Sequence, residues 1–258
     1  SRFSGQITPN FAFTGNPFEV DSDLAGVTES ERYQLSLHVT KDLGWATAKS
    51  ISSYQSWDMG PQIVDLDFTN SDPFPLFALA SSIDQRQTLR TNEFRLQSPE
   101  GSGPLAWRGG LFYMHKDNTG NTGRQFPVPA PVPGGFAPFT ERLNFSVEQE
   151  SFAAYGKLNY ELGNGLSVDA GARAELVEAR LDRAKEIPPQ SLSENRDEVY
   201  FSPTAGASYS VSENVTAFVR SGLGIKPHGY SAFSDDPNTA RFEEERNWST
   251  EAGLQFRS

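Results

Sequence analysis

One stretch decides the fold. It reads Ser151-Phe152-Ala153-Ala154-Tyr155-Gly156-Lys157-Leu158-Asn159-Tyr160-Glu161-Leu162, then Gly163-Asn164-Gly165, then Leu166-Ser167-Val168-Asp169-Ala170-Gly171-Ala172-Arg173-Ala174-Glu175-Leu176. In the first arm Phe152, Ala154, Gly156, Leu158, Tyr160 and Leu162 share one face of an extended chain, because successive side chains of a strand point to opposite sides. Ser151, Ala153, Tyr155, Lys157, Asn159 and Glu161 share the other. The second arm repeats the pattern with Leu166, Val168, Ala170, Ala172, Ala174 and Leu176 against Ser167, Asp169, Gly171, Arg173 and Glu175. Gly163-Asn164-Gly165 offers residues that accept positive φ, as a tight hairpin turn requires. The stretch is a long β-hairpin with one apolar and one polar face.

The same grammar recurs on both sides. Tyr33, Leu35, Leu37 and Val39 alternate with Gln34, Ser36, His38 and Thr40, and Asp42-Leu43-Gly44 turns into a strand from about Trp45 to Trp57. Phe94 and Leu96 alternate with Glu93, Arg95 and Gln97. A turn over Pro99–Pro104 leads into Leu105, Trp107, Gly109, Leu111 and Tyr113. Ala205, Ala207, Tyr209 and Val211 turn through Glu213-Asn214 into Val215, Ala217 and Val219, and a last strand covers about Asn247 to Phe256. Four hairpins and one further strand give about nine strands, from about residue 31 to 258, after an irregular lead-in over 1–30. The remaining connections, about Gly60–Gln85, Gly120–Asn144, Lys185–Glu198 and Gly229–Arg246, are long and rich in Pro, Gly, Asp and Glu.

Composition narrows the choice. The chain has 258 residues, a formal charge of −11 and a pI near 4.8. That balance excludes a general nucleic-acid binder, which needs a basic face. No apolar run exceeds Leu76–Ala80, far short of the ~18 residues of a spanning helix. Cysteine is absent, so neither a disulfide scaffold nor a thiolate metal site is available. Aromatic residues make up 12%, too many for a disordered chain. Ser1-Arg2-Phe3-Ser4-Gly5 has no feature of a signal peptide, so the chain is expected to begin after processing or inside a larger protein.

Two β architectures fit the alternation. A soluble sandwich or propeller buries the apolar face; a transmembrane barrel turns it to lipid. Strands of ten to fourteen residues exceed the usual globular length of ~5–6. Ala154, Gly156, Ala170, Ala172, Ala174, Ala205 and Ala207 would fill a sandwich core poorly, whereas a lipid-facing surface has no volume to fill. Short turns at one end and long loops at the other are also the asymmetry of outer-membrane barrels.

Particular segments then resemble TonB-dependent outer-membrane receptors. Thr91-Asn92-Glu93-Phe94-Arg95-Leu96-Gln97-Ser98-Pro99 is similar to their QELRLxSP segment, and Trp107-Arg108-Gly109-Gly110-Leu111-Phe112-Tyr113 to their WxxGLFY strand. Glu150–Gly156, Val168–Arg173, Phe201-Ser202-Pro203, Ile225–Tyr230 and Glu251-Ala252-Gly253-Leu254 resemble five further family segments, in family order. The resemblance implies a transmembrane antiparallel up-and-down β-barrel with short periplasmic turns and long extracellular loops, in the outer membrane of a Gram-negative bacterium. It implies active uptake of a scarce nutrient: a ferric siderophore, haem, cobalamin or an oligosaccharide. The implied partners are the TonB complex, reached through a plug domain, and outer-membrane lipid and lipopolysaccharide. Plug and TonB box are not visible here, the family barrel has 22 strands, and the chain ends just after a mid-barrel segment. The expectation is therefore a slice of a larger barrel, all 258 residues belonging to one barrel domain without its plug. A passive porin-like barrel and a soluble β-sandwich binding module are the alternatives.

Chemical constellations are sparse. His38, His115 and His228 lie on different strands or loops, none near a carboxylate at local ligand spacing, so no metal site is expected. Asp21-Ser22-Asp23, Asp65-Leu66-Asp67, Asp235-Asp236 and Glu243-Glu244-Glu245 read as solvated loop charge; the alternative for the first two is a calcium site, and for the last two recognition of a cationic ligand or calcium bridging to lipopolysaccharide phosphates. Glu93, Arg95, Arg173 and Glu175 fall on the polar side, facing a wet interior. No nucleophile elbow, phosphate loop or dinucleotide fingerprint is present, so neither an enzyme nor a cofactor is expected. Alternating prolines from Pro127 to Pro133 favour an extended, stiff loop. Phe126, Phe136, Phe139, Tyr230 and Phe233 are expected to be exposed on long loops, as candidate ligand contacts at the barrel mouth.

Overall fold

A computed structural model describes residues 6–7, 13–14, 24–66, 80–129, 136–187, 189–234 and 236–257. In chain order the elements are β1 (Gln6–Ile7), β2 (Phe13–Thr14), β3 (Val27–Asp42), β4 (Thr47–Asp65), β5 (Ala80–Gln97), β6 (Leu105–Pro129), β7 (Phe136–Gly163), β8 (Leu166–Lys185), β9 (Gln190–Ser212), β10 (Val215–Lys226), β11 (Gly229–Tyr230), α1 (Pro237–Ala240), β12 (Arg241–Phe242) and β13 (Glu245–Phe256). Nine strands form one antiparallel sheet in the order β13-β10-β9-β8-β7-β6-β5-β4-β3, while β1-β2 and β11-β12 are two-stranded ribbons. The large sheet is an up-and-down meander. It is not closed: β3 and β13 are each paired on one side only among the described residues.

Four short turns lie at one end. Gly163, Asn164 and Gly165 have φ of 86°, 51° and 78°, the left-handed geometry that matches a hairpin's twist and that only Gly and Asn adopt at low cost. Asp42 Oδ1 accepts from Gly44 N at 2.8 Å, and Leu43 N donates to Ala46 O at 2.9 Å. Residues 98–104 and Glu213-Asn214 complete the set.

Strands at the other end run further than the alternation implied. β6 and β7 stay paired without a break from Leu105↔Tyr160 to Pro129↔Phe136, and β8 and β9 from Leu166↔Tyr209 to Lys185↔Gln190. Most of the stretches 120–144 and 185–198, expected as loops, is therefore continued ladder. The alternation had not vanished there; it had changed phase. Through the band near the tight turns, exposed apolar side chains occupy one face: Phe152 is 53% exposed, Leu158 54%, Leu166 39% and Val168 37%. No second layer covers them among the described residues, so the sandwich reading fails. Beyond the registered row Tyr113–Phe152–Leu176–Val199, that same face carries Arg90, His115, Glu150, Glu178 and Asp197 in the next row. The opposite face turns apolar at the same height, with Phe145, Val177, Ala179 and Leu181 buried.

The height of the exposed band has a physical meaning. From Phe152 to Leu162 along β7, a rise of ~3.3 Å per residue at ~45° tilt gives about 23 Å, close to the ~25 Å apolar belt of outer-membrane barrels.

Candidate functional site

The apolar patch on the opposite face exists because a segment folds onto it. Residues 227–244, between β10 and β13, contain the β11–β12 ribbon and α1, whose N-terminus is capped by the Asp236 side chain accepting from Asn238 N at 2.9 Å. Tyr230, Ala232 and Ala240 from this segment pack on Phe145, Ala179 and Leu181 of the sheet, with Val147 and Leu192 at the margin. Polar ties frame the patch. Arg183 Nη1 donates to Ser234 O. Tyr200 Oη lies 2.6 Å from His228 Nδ1 and accepts from His228 N at 3.2 Å, while His228 Nε2 lies 3.1 Å from Arg196 O. The His228 side chain has no solvent exposure. Arg196 in turn bonds Glu243 at 2.6 Å and Glu198 at 2.8 Å. The hydrogen bond from Arg196 is the main cause holding the Glu243 carboxyl below its ordinary range. The segment is thus latched over the sheet rather than hanging from it.

Between latch and sheet lies a cavity of about 340 Å³, lined by Lys116 and Asn118 of β6, Val147 and Gln149 of β7, and Tyr230, Ser231, Ala232, Phe233 and Phe242 of the latch. Its chemistry is a set of aromatic rings beside amides and one ammonium.

The five aromatics expected at the mouth do not behave alike. Phe233 is 50% exposed and meets Phe145 edge-on at 5.5 Å between ring centres. Tyr230 is only 7% exposed, so the expectation that it stands free on a loop fails: apolar contacts in the latch are available to its ring, and burial follows. Phe126 and Phe139 are registered partners on β6 and β7, and Phe136 pairs with Pro129 at the end of the same hairpin. The side chains of Phe126 and Phe136 lie outside the described residues, as do the prolines from Pro131 to Pro133. Lys116, Asn118, Gln149 and Phe242 join the cavity lining only through strand register and the fold of the latch, so no local sequence signal groups them.

At mid-height the same face carries a network that the sequence had placed on the polar side. Tyr155 Oη donates to Glu93 and accepts from Arg95 Nε at 3.1 Å, and Arg95 Nη2 pairs with Glu93 at 2.7 Å. Arg173 pairs with Glu175 at 2.9 Å, and Ser151 Oγ donates to Glu175.

The acidic run does not form a cation patch. Glu243 pairs with Arg196, Glu244 with Arg246 at 3.2 Å, and Glu245 with Lys226 at 2.5 Å. Asp21-Ser22-Asp23, Asp67 and Asp235 lie outside the described residues. The histidine reading needs one correction. His115 Nδ1 lies 3.1 Å from Glu150 Oε1 and 3.6 Å from Glu148 Oε1. The carboxylates come from the neighbouring strand, so no local spacing reveals them.

An uncovered apolar band, charged on its far side and joined by tight turns at one end, defines a section of a transmembrane β-barrel wall. Residues 1–258 match the family model described as TonB dependent receptor-like, beta-barrel. The chain belongs to that family, which is one of the Gram-negative outer membrane. Solved structures agree in fold. The ferric yersiniabactin uptake receptor FyuA from Yersinia pestis matches with a TM-score of 0.77 at 15% identity, covering 93% of this chain and 36% of that one. The siderophore receptor PiuA from Acinetobacter baumannii matches at 0.69 and 13% identity, covering 92% of this chain and 39% of that one. The ferric citrate transporter FecA in its unliganded form matches at 0.57 and 13%, covering 89% and 32%. The chain thus spans less than half the length of these receptors.

Proposed function

We propose that the chain forms part of the wall and extracellular mouth of a transporter that takes up a scarce nutrient, of the ferric siderophore class, with energy supplied by the TonB complex through a plug domain. The family match over the whole chain carries this reading. The latch supports it: a cavity walled by Phe233, Phe242 and Lys116 stands on the interior face, above the apolar band, where a ligand would first meet the receptor. Cargo of this class is anionic and often aromatic, which suits ring faces and an ammonium. Phe126, Phe136, Phe139 and Phe233 are carried forward as ligand contacts; Tyr230 serves by seating the latch beneath them. The outward band contacts outer-membrane lipid, and the two open sheet edges pair with further strands of the barrel, since lipid offers unpaired backbone groups no partner.

The test is uptake of radiolabelled ferric siderophore by cells carrying the full-length gene, with and without a functional TonB protein. Uptake that disappears without TonB, and falls severalfold with Phe233→Ala, is the expected result. Uptake indifferent to TonB would instead identify a passive, porin-like barrel.

A further inference from the structure

We propose that His115, Glu148 and Glu150 form a binding site for one divalent cation of the Zn²⁺ class, on the outward face of the wall one row above the apolar band. The site is separate from the latch cavity, which faces the other side of the sheet, and stands whatever the cargo is.

Register builds it. His115 and Glu150 are directly paired residues of β6 and β7, and Glu148 follows two positions along β7 on the same face. His115 Nδ1 and one carboxylate oxygen from each glutamate all lie within 4.8 Å of one another. A tetrahedral ion with bonds of ~2.0–2.1 Å requires donors about 3.3–3.4 Å apart. The imidazole nitrogen stands 3.1 Å and 3.6 Å from the two oxygens, on either side of that figure. A cation can therefore enter by small rotamer adjustments, taking the place of the Nδ1 proton and leaving a fourth position to water. The nitrogen donor favours Zn²⁺ and its neighbours over Ca²⁺ or Mg²⁺, which prefer all-oxygen shells.

The charge around the cluster is mixed. Arg180, registered opposite Glu148 on β8, pairs with Glu178 at 2.5 Å, and Arg90, registered opposite His115 on β5, lies over the Tyr54 ring at 5.8 Å. The two carboxylates therefore have the imidazole between them and a guanidinium on either flank, and the site rests on the donor geometry. Glu150 is also pre-oriented, since Tyr113 Oη donates to its Oε1 at 3.0 Å. Outer-sphere hydrogen bonds of this kind position first ligands in known metal centres.

The experiment uses the full-length protein, folded in detergent and stripped with a chelator. Zn²⁺ titration by calorimetry should show a one-equivalent site, and Co²⁺ should give the visible absorption of a nitrogen-containing tetrahedral shell. His115→Ala should remove the Co²⁺ band and weaken Zn²⁺ binding at least tenfold, roughly the scale of losses seen when metal shells are disturbed. Glu148→Gln with Glu150→Gln should do the same. Heat-modifiable gel mobility checks that each variant is folded. No Zn²⁺ site in the parent protein, or binding unchanged in folded His115→Ala, would overturn the assignment.

Discussion

The hydroxyl of Tyr155 reaches the Glu93 carboxylate two strands away because Gly110, its registered partner on the intervening strand, has no side chain. A Cβ at Gly110 would lie 2.6 Å from Tyr155 Oη and 2.7 Å from Phe94 O. The glycine is a packing requirement here, since the strand beneath would otherwise block the ring.

Gly110→Val should therefore cost about 1–3 kcal/mol, as overpacked positions do. Urea unfolding of the lipid-embedded protein measures it. Gly109 is a control: a Cβ there meets only Tyr155 O at an ordinary 3.5 Å, so Gly109→Ala should be far milder.

Leu158 and Lys157 are adjacent and point to opposite faces. Leu158→Arg places a charge in the exposed apolar band and should cost roughly 2–4 kcal/mol at the bilayer midplane. Lys157 pairs with Asp169 at 2.9 Å but is 47% exposed, and Arg220 stands 4.0 Å from the same carboxylate. Lys157→Ala should then stay within about 1 kcal/mol. Equal effects in refolding titrations would mean that the faces are assigned the wrong way round.

The latch depends on Tyr200. Tyr200→Phe deletes the hydroxyl that meets both His228 Nδ1 and His228 N, leaving buried polar groups unpaired at about 1–3 kcal/mol. Hydrogen exchange should quicken over residues 228–242 while the band of β6–β8 stays protected, because local segments open independently of the whole.

A pH response follows from Glu243. Its folded carboxyl titrates below the ordinary value, chiefly through the hydrogen bond from Arg196. The contact thus contributes fully above the unfolded value of about 4.3 and is lost as pH falls through the lower folded value. Arg196 is held above its already high value by the same bond, so the basic side of the pair plays no part near neutrality. Protection of the β12 amides, taken relative to their intrinsic exchange rate at each pH, should be flat from pH 7 to about 5 and fall only in stronger acid. A loss of protection centred near pH 6 would point to a different group.

Much of this was legible in the residues. Hairpin turns, strand order and the exposed stripe follow from Gly163-Asn164-Gly165 and from the alternation around it. The strand ends are harder to read, because the apolar side of each long strand changes face partway along it. At Leu176-Val177 two apolar residues stand side by side, and past them Val177, Ala179 and Leu181 continue the alternation on the other face. Such a doublet marks where the greasy side changes, and it was available in the sequence. The latch cavity and the His115 cluster were not, because their members meet only across strands: Lys116 beside Gln149, His115 beside Glu150. Tyr230 misled for a related reason, since a loop aromatic is exposed only when nothing nearby offers it cover.

Every strand of the large sheet has its chain neighbours as its spatial neighbours. A wall of this kind is modular by hairpin. Duplicating or deleting one up-down pair would change the circumference of the enclosure by a fixed increment and leave each surviving junction as it was. Evolution can therefore resize such a pore by copying short stretches of gene, without redesigning any interface inside it.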